Sequence, residues 1–220
     1  MDDAYILGHV DHTLLSATAS WDEIKNLCDE AVQYKTASVC VPPSYISGIR
    51  ELYPTLNICT VIGFPLGYND TTVKTAEARL AVNEGANELD MVINITDVKN
   101  GMFRIVESEI GALKKVAGNN ILKVIVETCY LTEQEKITIC RAVTDAGADY
   151  IKTSTGLGPK GATMEDVLLF KEHIGPGVKI KAAGGIRSRE DMVAFLEAGC
   201  SRLGTSSAVK LLTSGTSAGY

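Results

Sequence analysis

Three segments of this chain end in the same way. Glu84-Gly85-Ala86, Ala146-Gly147-Ala148 and Ala198-Gly199-Cys200 each close an amphipathic stretch and lead within a few residues into an apolar run. Glycine just past a helix end adopts the left-handed conformation without a Cβ clash, so each segment reads as a helix stop. The three glycines stand 62 and 52 residues apart, and each interval holds one further unit. The repeat is therefore 31 and then 26 residues long, the size of one strand plus one helix. Eight such units fill 220 residues and predict an α/β chain folded as a compact (β/α)8 TIM barrel, somewhat below the usual ~250 residues.

The intervening runs fit that reading. Ala37–Val41, Asn57–Ile62, Glu88–Ile93, Ile121–Glu127, Tyr150–Thr153, Val178–Ala182 and Arg202–Gly204 are strand candidates, with an eighth around Val10-Asp11. Continuous apolar character, as in Ile121–Val126, suits strands buried on both faces of a parallel sheet. Ser20, Thr132, Thr163 and Ser188 are each followed three residues later by an acid, the capping-box pattern of a helix start. No linker or composition shift interrupts the series, so residues 1–220 form one domain, with residues 213–220 expected as a flexible tail. The competing architecture is an open doubly wound sheet. Its support is Gly156-Leu157-Gly158-Pro159-Lys160-Gly161, which matches G-x-G-x-x-G but follows the sixth strand and carries a proline in the turn.

At 45% hydrophobic and 22% charged residues the chain has enough apolar material for a sizeable core. Its net charge of −6 argues against a nucleic-acid partner, which calls for a basic patch. No run approaches 18 apolar residues, so no membrane span is expected. Met1-Asp2-Asp3 lacks the charged-then-apolar order of a secretory signal. Six scattered cysteines without a C-x-x-C pair read as free thiols in a reducing, cytoplasmic compartment.

A barrel carries its active site at the C-terminal ends of its strands. Polar residues inside the strand runs are then the candidates: Asp11, Cys40, Asp90, Lys123, Glu127, Lys152 and Lys181. Lysine is almost never buried without a partner, yet Lys123, Lys152 and Lys181 recur at 29-residue spacing on successive strands. They fit either a buried network with Asp90 and Glu127 or a functional cluster, and their register favours function. Crowded, desolvated ammoniums titrate low, which makes one of them a neutral amine able to attack a carbonyl. Spacing alone does not choose Lys152 over Lys181. Lys179, two residues deeper, is a weaker candidate. Gly184-Gly185-Ile186 and Gly204-Thr205-Ser206-Ser207 read as phosphate-binding turns after strands seven and eight. His9, His12 and His173 do not converge on strand ends, so neither metal nor cofactor is expected.

Val10-Asp11-His12-Thr13-Leu14-Leu15, Glu88-Leu89-Asp90-Met91-Val92-Ile93-Asn94, Tyr150-Ile151-Lys152-Thr153-Ser154-Thr155-Gly156 and Lys181-Ala182-Ala183-Gly184-Gly185-Ile186-Arg187 stand in this order along the chain. Together they resemble the motifs of the deoxyribose-phosphate aldolase family. The resemblance implies a class I aldolase that splits 2-deoxy-D-ribose 5-phosphate into glyceraldehyde 3-phosphate and acetaldehyde. It implies Lys152 as the Schiff-base nucleophile, Lys181 as the neighbour that depresses its pKa, and Asp90 as the proton donor and acceptor. Lys123 would hold Asp90, while Asp11, Thr13, Cys40 and Thr153 would lie at the substrate pocket. Gly156, Gly184, Gly185, Gly204 and Ser206 would cradle the phosphate. Tyr220 would fold into the site to assist proton transfer. The loop 157–161 departs from the family pattern. A homodimer is also implied. The rival readings are another Schiff-base aldolase or transaldolase, and a non-catalytic barrel that binds a sugar phosphate.

Overall fold

In the computed structural model, which describes residues 1–213, eight parallel strands close into a barrel in chain order. The short helix α1 (Asp3–Leu7) precedes β1 (Val10–Thr13) and α2 (Trp21–Tyr34), followed by β2 (Ser38–Val41) and α3 (Ile46–Leu52). Next come β3 (Ile58–Ile62), α4 (Thr71–Glu84), β4 (Glu88–Val92), a one-turn α5 (Ile95–Lys99) and α6 (Phe103–Ala117). The second half runs β5 (Ile121–Ile125), α7 (Glu133–Asp145), β6 (Tyr150–Lys152), α8 (Met164–His173), β7 (Lys179–Ala183), α9 (Arg189–Ala198), β8 (Arg202–Thr205) and α10 (Ala208–Thr213). Strand β1 pairs with both β2 and β8, which leaves no open edge and removes the doubly wound alternative. Thr213, expected in the tail, instead closes α10, its Oγ1 donating to the Val209 carbonyl. Tyr220 and the rest of that tail lie outside the described residues.

Local chemistry explains the repeat. Ser20, Thr132, Thr163 and Ser188 all accept from the backbone N–H three residues on, and at Ser20, Thr132 and Ser188 the acid bonds back to complete the box. At the other end Gly85 and Gly199 cap α4 and α9 in the left-handed conformation, while Gly147 takes it one residue after the α7 cap. The strands turn Val39, Val41, Ile58, Ile62, Leu89, Met91, Leu122, Val124 and Ile151 outward into one continuous core against the helices. Burying each aliphatic side chain is worth about 1.5–3 kcal/mol, so this outer core is the main source of stability.

One charged pair sits inside that shell. Lys74 of α4 donates to Glu109 of α6 (2.8 Å) and to the Val92 carbonyl at the end of β4 (2.9 Å). Glu109 also accepts from the Asn94 N–H, so the pair ties two helices to the strand that carries Asp90. Burial pulls Lys74 below, and Glu109 above, their ordinary pKa values. Lys74→Met should cost about 3–5 kcal/mol in a denaturant melt, because Glu109 is left buried and unpaired. Lys74→Met combined with Glu109→Leu should recover most of that loss; a double variant as unstable as the single one would contradict this account.

Candidate active site

The strand registers sort the inward side chains into tiers of four, each supplied by alternate strands. Odd strands supply the middle tier: Asp11, Cys59, Lys123 and Lys181. Above it, toward the strand C-termini, stand Cys40, Asp90, Lys152 and Gly204; below it stand Ser38, Glu88, Tyr150 and Arg202. Barrel interiors are commonly filled by branched aliphatics. Here the filling is an ion network.

Asp90 is its hub. Lys123 donates to Asp90 Oδ1 (2.8 Å), while Lys152 (2.8 Å) and Lys181 (2.7 Å) both donate to Oδ2. Lys181 also pairs with Asp11, and Lys123 with Glu88 (2.5 Å). Arg202 bridges Asp11 (2.5 Å) and Glu88 (3.0 Å), closing the circuit. Ser38 Oγ donates to Asp11. All these groups are buried, yet each charge faces at least one opposite charge, the condition for a charge to stay in an interior.

Carboxylates, not crowding, set the charge of two of the three lysines. Burial opposes the charge on Lys181, but Asp11 and Asp90 outweigh it and hold this ammonium well above the lysine range. Lys123 is held up in the same way, against burial, by Asp90 with Cys59, Asp11 and Glu88. Conversely, burial would raise Asp90, but Lys123, Lys152 and Lys181 hold it far below the carboxylate range. Lys181, Asp11 and Lys123 thus act on the site through fixed charge.

Of the lysines only Lys152 reaches the surface of the cavity above the network, a space of about 550 Å³. Thr13, Gly156, Gly184, Gly185, Gly204 and Ser206 line the same space. Asp90, Lys181 and Lys123 lie beneath it, reached through Lys152. Asp11 is a buried structural partner rather than a pocket wall, and Thr153 turns away to bond the Ala183 backbone. Cys40 sits under the floor among Cys59, Val61, Leu15 and Phe64. Glu127 does not join the lysines; it accepts from the Thr155 N–H (3.2 Å) and hydroxyl and so anchors the loop after β6. Lys179 lies outside the network, exposed over the Tyr150 ring.

The turns are shaped by close backbone approach. A Cβ on Gly161 would meet the Gly184 carbonyl oxygen at 2.2 Å, and one on Gly184 would crowd the Cα atoms of Gly161 and Gly156. The G-x-G-x-x-G match therefore ends in a glycine that packs the loop after β6 onto the turn after β7. Gly204 does a further job: a Cβ there would come within 3.1 Å of the Lys181 stem.

Sequence reasoning missed Glu88, Arg202, Cys59 and Ser38. Glu88 was legible in principle, since period two places it on the face of Asp90. Arg202 pairs with Asp11 only through closure of β8 on β1. Arg187, Phe64 and Leu15 also line the cavity and carried no local signal.

A lysine amine at the floor of a barrel cavity, hydrogen-bonded to a shared carboxylate and faced by glycine-rich turns, defines a barrel enzyme equipped for carbonyl chemistry. A DeoC/LacD family aldolase profile matches residues 6–219. The deoxyribose-phosphate aldolase of Clostridium botulinum (strain Alaska E43) is 62% identical over 221 aligned residues that span both chains completely. That of Clostridioides difficile is 56% identical over 209 residues, covering 94% of this chain and 95% of its own. The solved deoxyribose phosphate aldolase of Aeropyrum pernix, described as tetrameric, superposes with a TM-score of 0.90 at 34% identity, covering 98% of this chain and 93% of that one. The chain belongs to the DeoC/LacD family of aldolases and is a lyase.

The charge network makes stability depend on pH in a defined sense. The Asp11 carboxyl is lowered from 3.8 because Lys181, Lys123 and Arg202 overcome its burial. Its contribution is complete above that value and declines as pH falls toward the folded one. Asp11→Asn should therefore cost about 3–5 kcal/mol near neutrality, with the gap to the native protein narrowing below pH 3.8. For Lys181, raised above 10.5, the contribution is complete below that value and declines only at higher pH. A gap that stays constant into acid would contradict the network.

Proposed function

We propose that the protein is a class I aldolase that reversibly cleaves 2-deoxy-D-ribose 5-phosphate to glyceraldehyde 3-phosphate and acetaldehyde, with Lys152 as the Schiff-base nucleophile. The observation that carries this reading is the position of the Lys152 amine, on the cavity floor and 2.8 Å from Asp90. Pairing supports the choice of lysine: Lys123, Lys181 and Arg202 each engage at least two of the carboxylates Asp11, Glu88 and Asp90, whereas Lys152 meets Asp90 and opens on the cavity.

In the cleavage direction the amine attacks the C1 aldehyde, and loss of water yields the imine. The iminium draws electrons as the C2–C3 bond breaks, while a base removes the C3 hydroxyl proton and glyceraldehyde 3-phosphate departs. The remaining enamine is protonated at C2, and water releases acetaldehyde. Asp90, in contact with Lys152, Lys181 and Lys123, is suited to passing these protons on. The phosphate end of the substrate fits the turns at Gly156, Gly184, Gly185, Gly204 and Ser206, whose missing or short side chains let backbone approach an anion. The deoxyribose phosphate in the names of the close relatives supports this substrate.

The resemblance also supports a homodimer in a reducing cytoplasm, acting in deoxyribose phosphate breakdown. The described cysteines are all free, and Leu66, Tyr68, Val73 and Leu80 are exposed on α4 and its leading loop. Light scattering is expected to report a dimer, and a monomer would remove that part.

Lys152→Met should abolish acetaldehyde release from deoxyribose 5-phosphate. Asp90→Asn should lower kcat by about 10²–10⁴ while KM changes little. In the synthetic direction acetaldehyde should serve as donor and dihydroxyacetone phosphate should not. Full turnover by the Lys152 variant would refute the assignment.

A further inference from the structure

The cysteine pair beneath the cavity floor is a feature of the interior that the lyase chemistry leaves unused. Cys40 and Cys59 are direct register partners on β2 and β3, and both project into the barrel and are fully buried. Neighbouring strands lie ~4.7–4.9 Å apart, within the ~4.4–6.8 Å Cα separation that a disulfide spans. Their sulfurs and a carboxylate oxygen of Asp90 lie within 4.8 Å of one another. Cys59 is also tied to the machinery: its thiol donates to Asp90 Oδ1 (3.1 Å) and its sulfur accepts from Lys123 (3.3 Å). Leu15 and Phe64, which cover the pair, line the cavity, so the pair lies one side-chain layer below the substrate space.

We propose that Cys40 and Cys59 are a dithiol modification site, oxidised by hydrogen peroxide to a disulfide that disables the floor of the active site. The formation of the bond is independent of the aldolase reading; only its effect on turnover rests on that reading. A soft divalent cation on the same two sulfurs and Asp90 fits less well, because the Lys123 and Lys181 ammoniums already hold that carboxylate and Lys152 occupies it as well. Oxidation places no new charge there.

The order of attack follows from the surroundings. The adjoining Cys59 sulfur and the Lys181 ammonium hold the Cys40 thiol below its ordinary range against burial. Burial pushes Cys59 well above that range. Burial also raises Cys28, Cys140 and Cys200, each to about 12, which leaves them unreactive as nucleophiles. The Cys40 sulfur attacks one peroxide oxygen; the O–O bond breaks, and the second oxygen leaves as water with the former thiol proton. Cys40 is then a sulfenic acid. The Cys59 sulfur attacks it, the S–O bond breaks, and that oxygen leaves as water with the Cys59 proton. Two thiols are oxidised and one peroxide is reduced to two waters. Asp90 Oδ1 loses the Cys59 donor and Lys123 loses its sulfur contact, so the hub is disturbed.

The full-length protein is treated with hydrogen peroxide and mapped as unreduced peptides, with turnover followed in the same samples. The expected result is a Cys40–Cys59 cross-link, a fall in turnover of about tenfold, the scale of one hydrogen bond to a charged group, and recovery with dithiothreitol. In Cys59→Ala the cross-link is absent, and Cys40 should react with dimedone as a sulfenic acid. Peptides in which Cys40 and Cys59 remain unlinked after peroxide would overturn the site. A quantitative cross-link with unchanged turnover would overturn the claim that it disables the floor. Inactivity of the untreated protein would instead count against the aldolase reading and leave the mapping intact.

Discussion

Everything in this barrel is arranged around one carboxylate that three lysines share. Asp90 accepts from Lys123, Lys152 and Lys181, all within 2.8 Å, in an interior closed to solvent. An isolated carboxylate would be expelled from such a place or would bind a proton. The lysines keep it ionised, and Asp11, Glu88 and Arg202 in turn balance the lysines. Removing one member leaves another uncompensated, so the network behaves as a unit.

That unit also dictates how the outer fold must perform. Ion pairs in an interior repay their desolvation only with good geometry, and here their positions come from six different strands. The apolar shell between strands and helices supplies the rigidity, and Lys74 with Glu109 fixes the end of the strand bearing Asp90. The glycines divide into those that stop helices, such as Gly85 and Gly199, and those that let backbone come close, such as Gly161 and Gly184.

Much of this was legible in the sequence because it is local. Capping residues, glycine stops and apolar runs each act within a few residues, so the eight units and their order could be read directly. Lys123, Lys152 and Lys181 were visible as charges misplaced in apolar strands. What could not be read is set by closure. The contacts of Asp11 with Lys181 and Arg202 join residues at opposite ends of the chain, and they hold the Lys181 ammonium well above the lysine range against its burial. Glu127 sat in a strand run like the others but serves Thr155, because β5 ends before it and the chain turns through a left-handed conformation there. Cys59 looked like any small apolar strand residue until its register partner proved to be Cys40.

The central claim is that a single interior amine, that of Lys152, is available to a carbonyl compound. It is tested by reducing the protein with borohydride in the presence of acetaldehyde and mapping the modified peptide. The account predicts one ethyl adduct, on Lys152, with Lys123 and Lys181 unmodified. An adduct on either of those two, or none on any lysine, would contradict it.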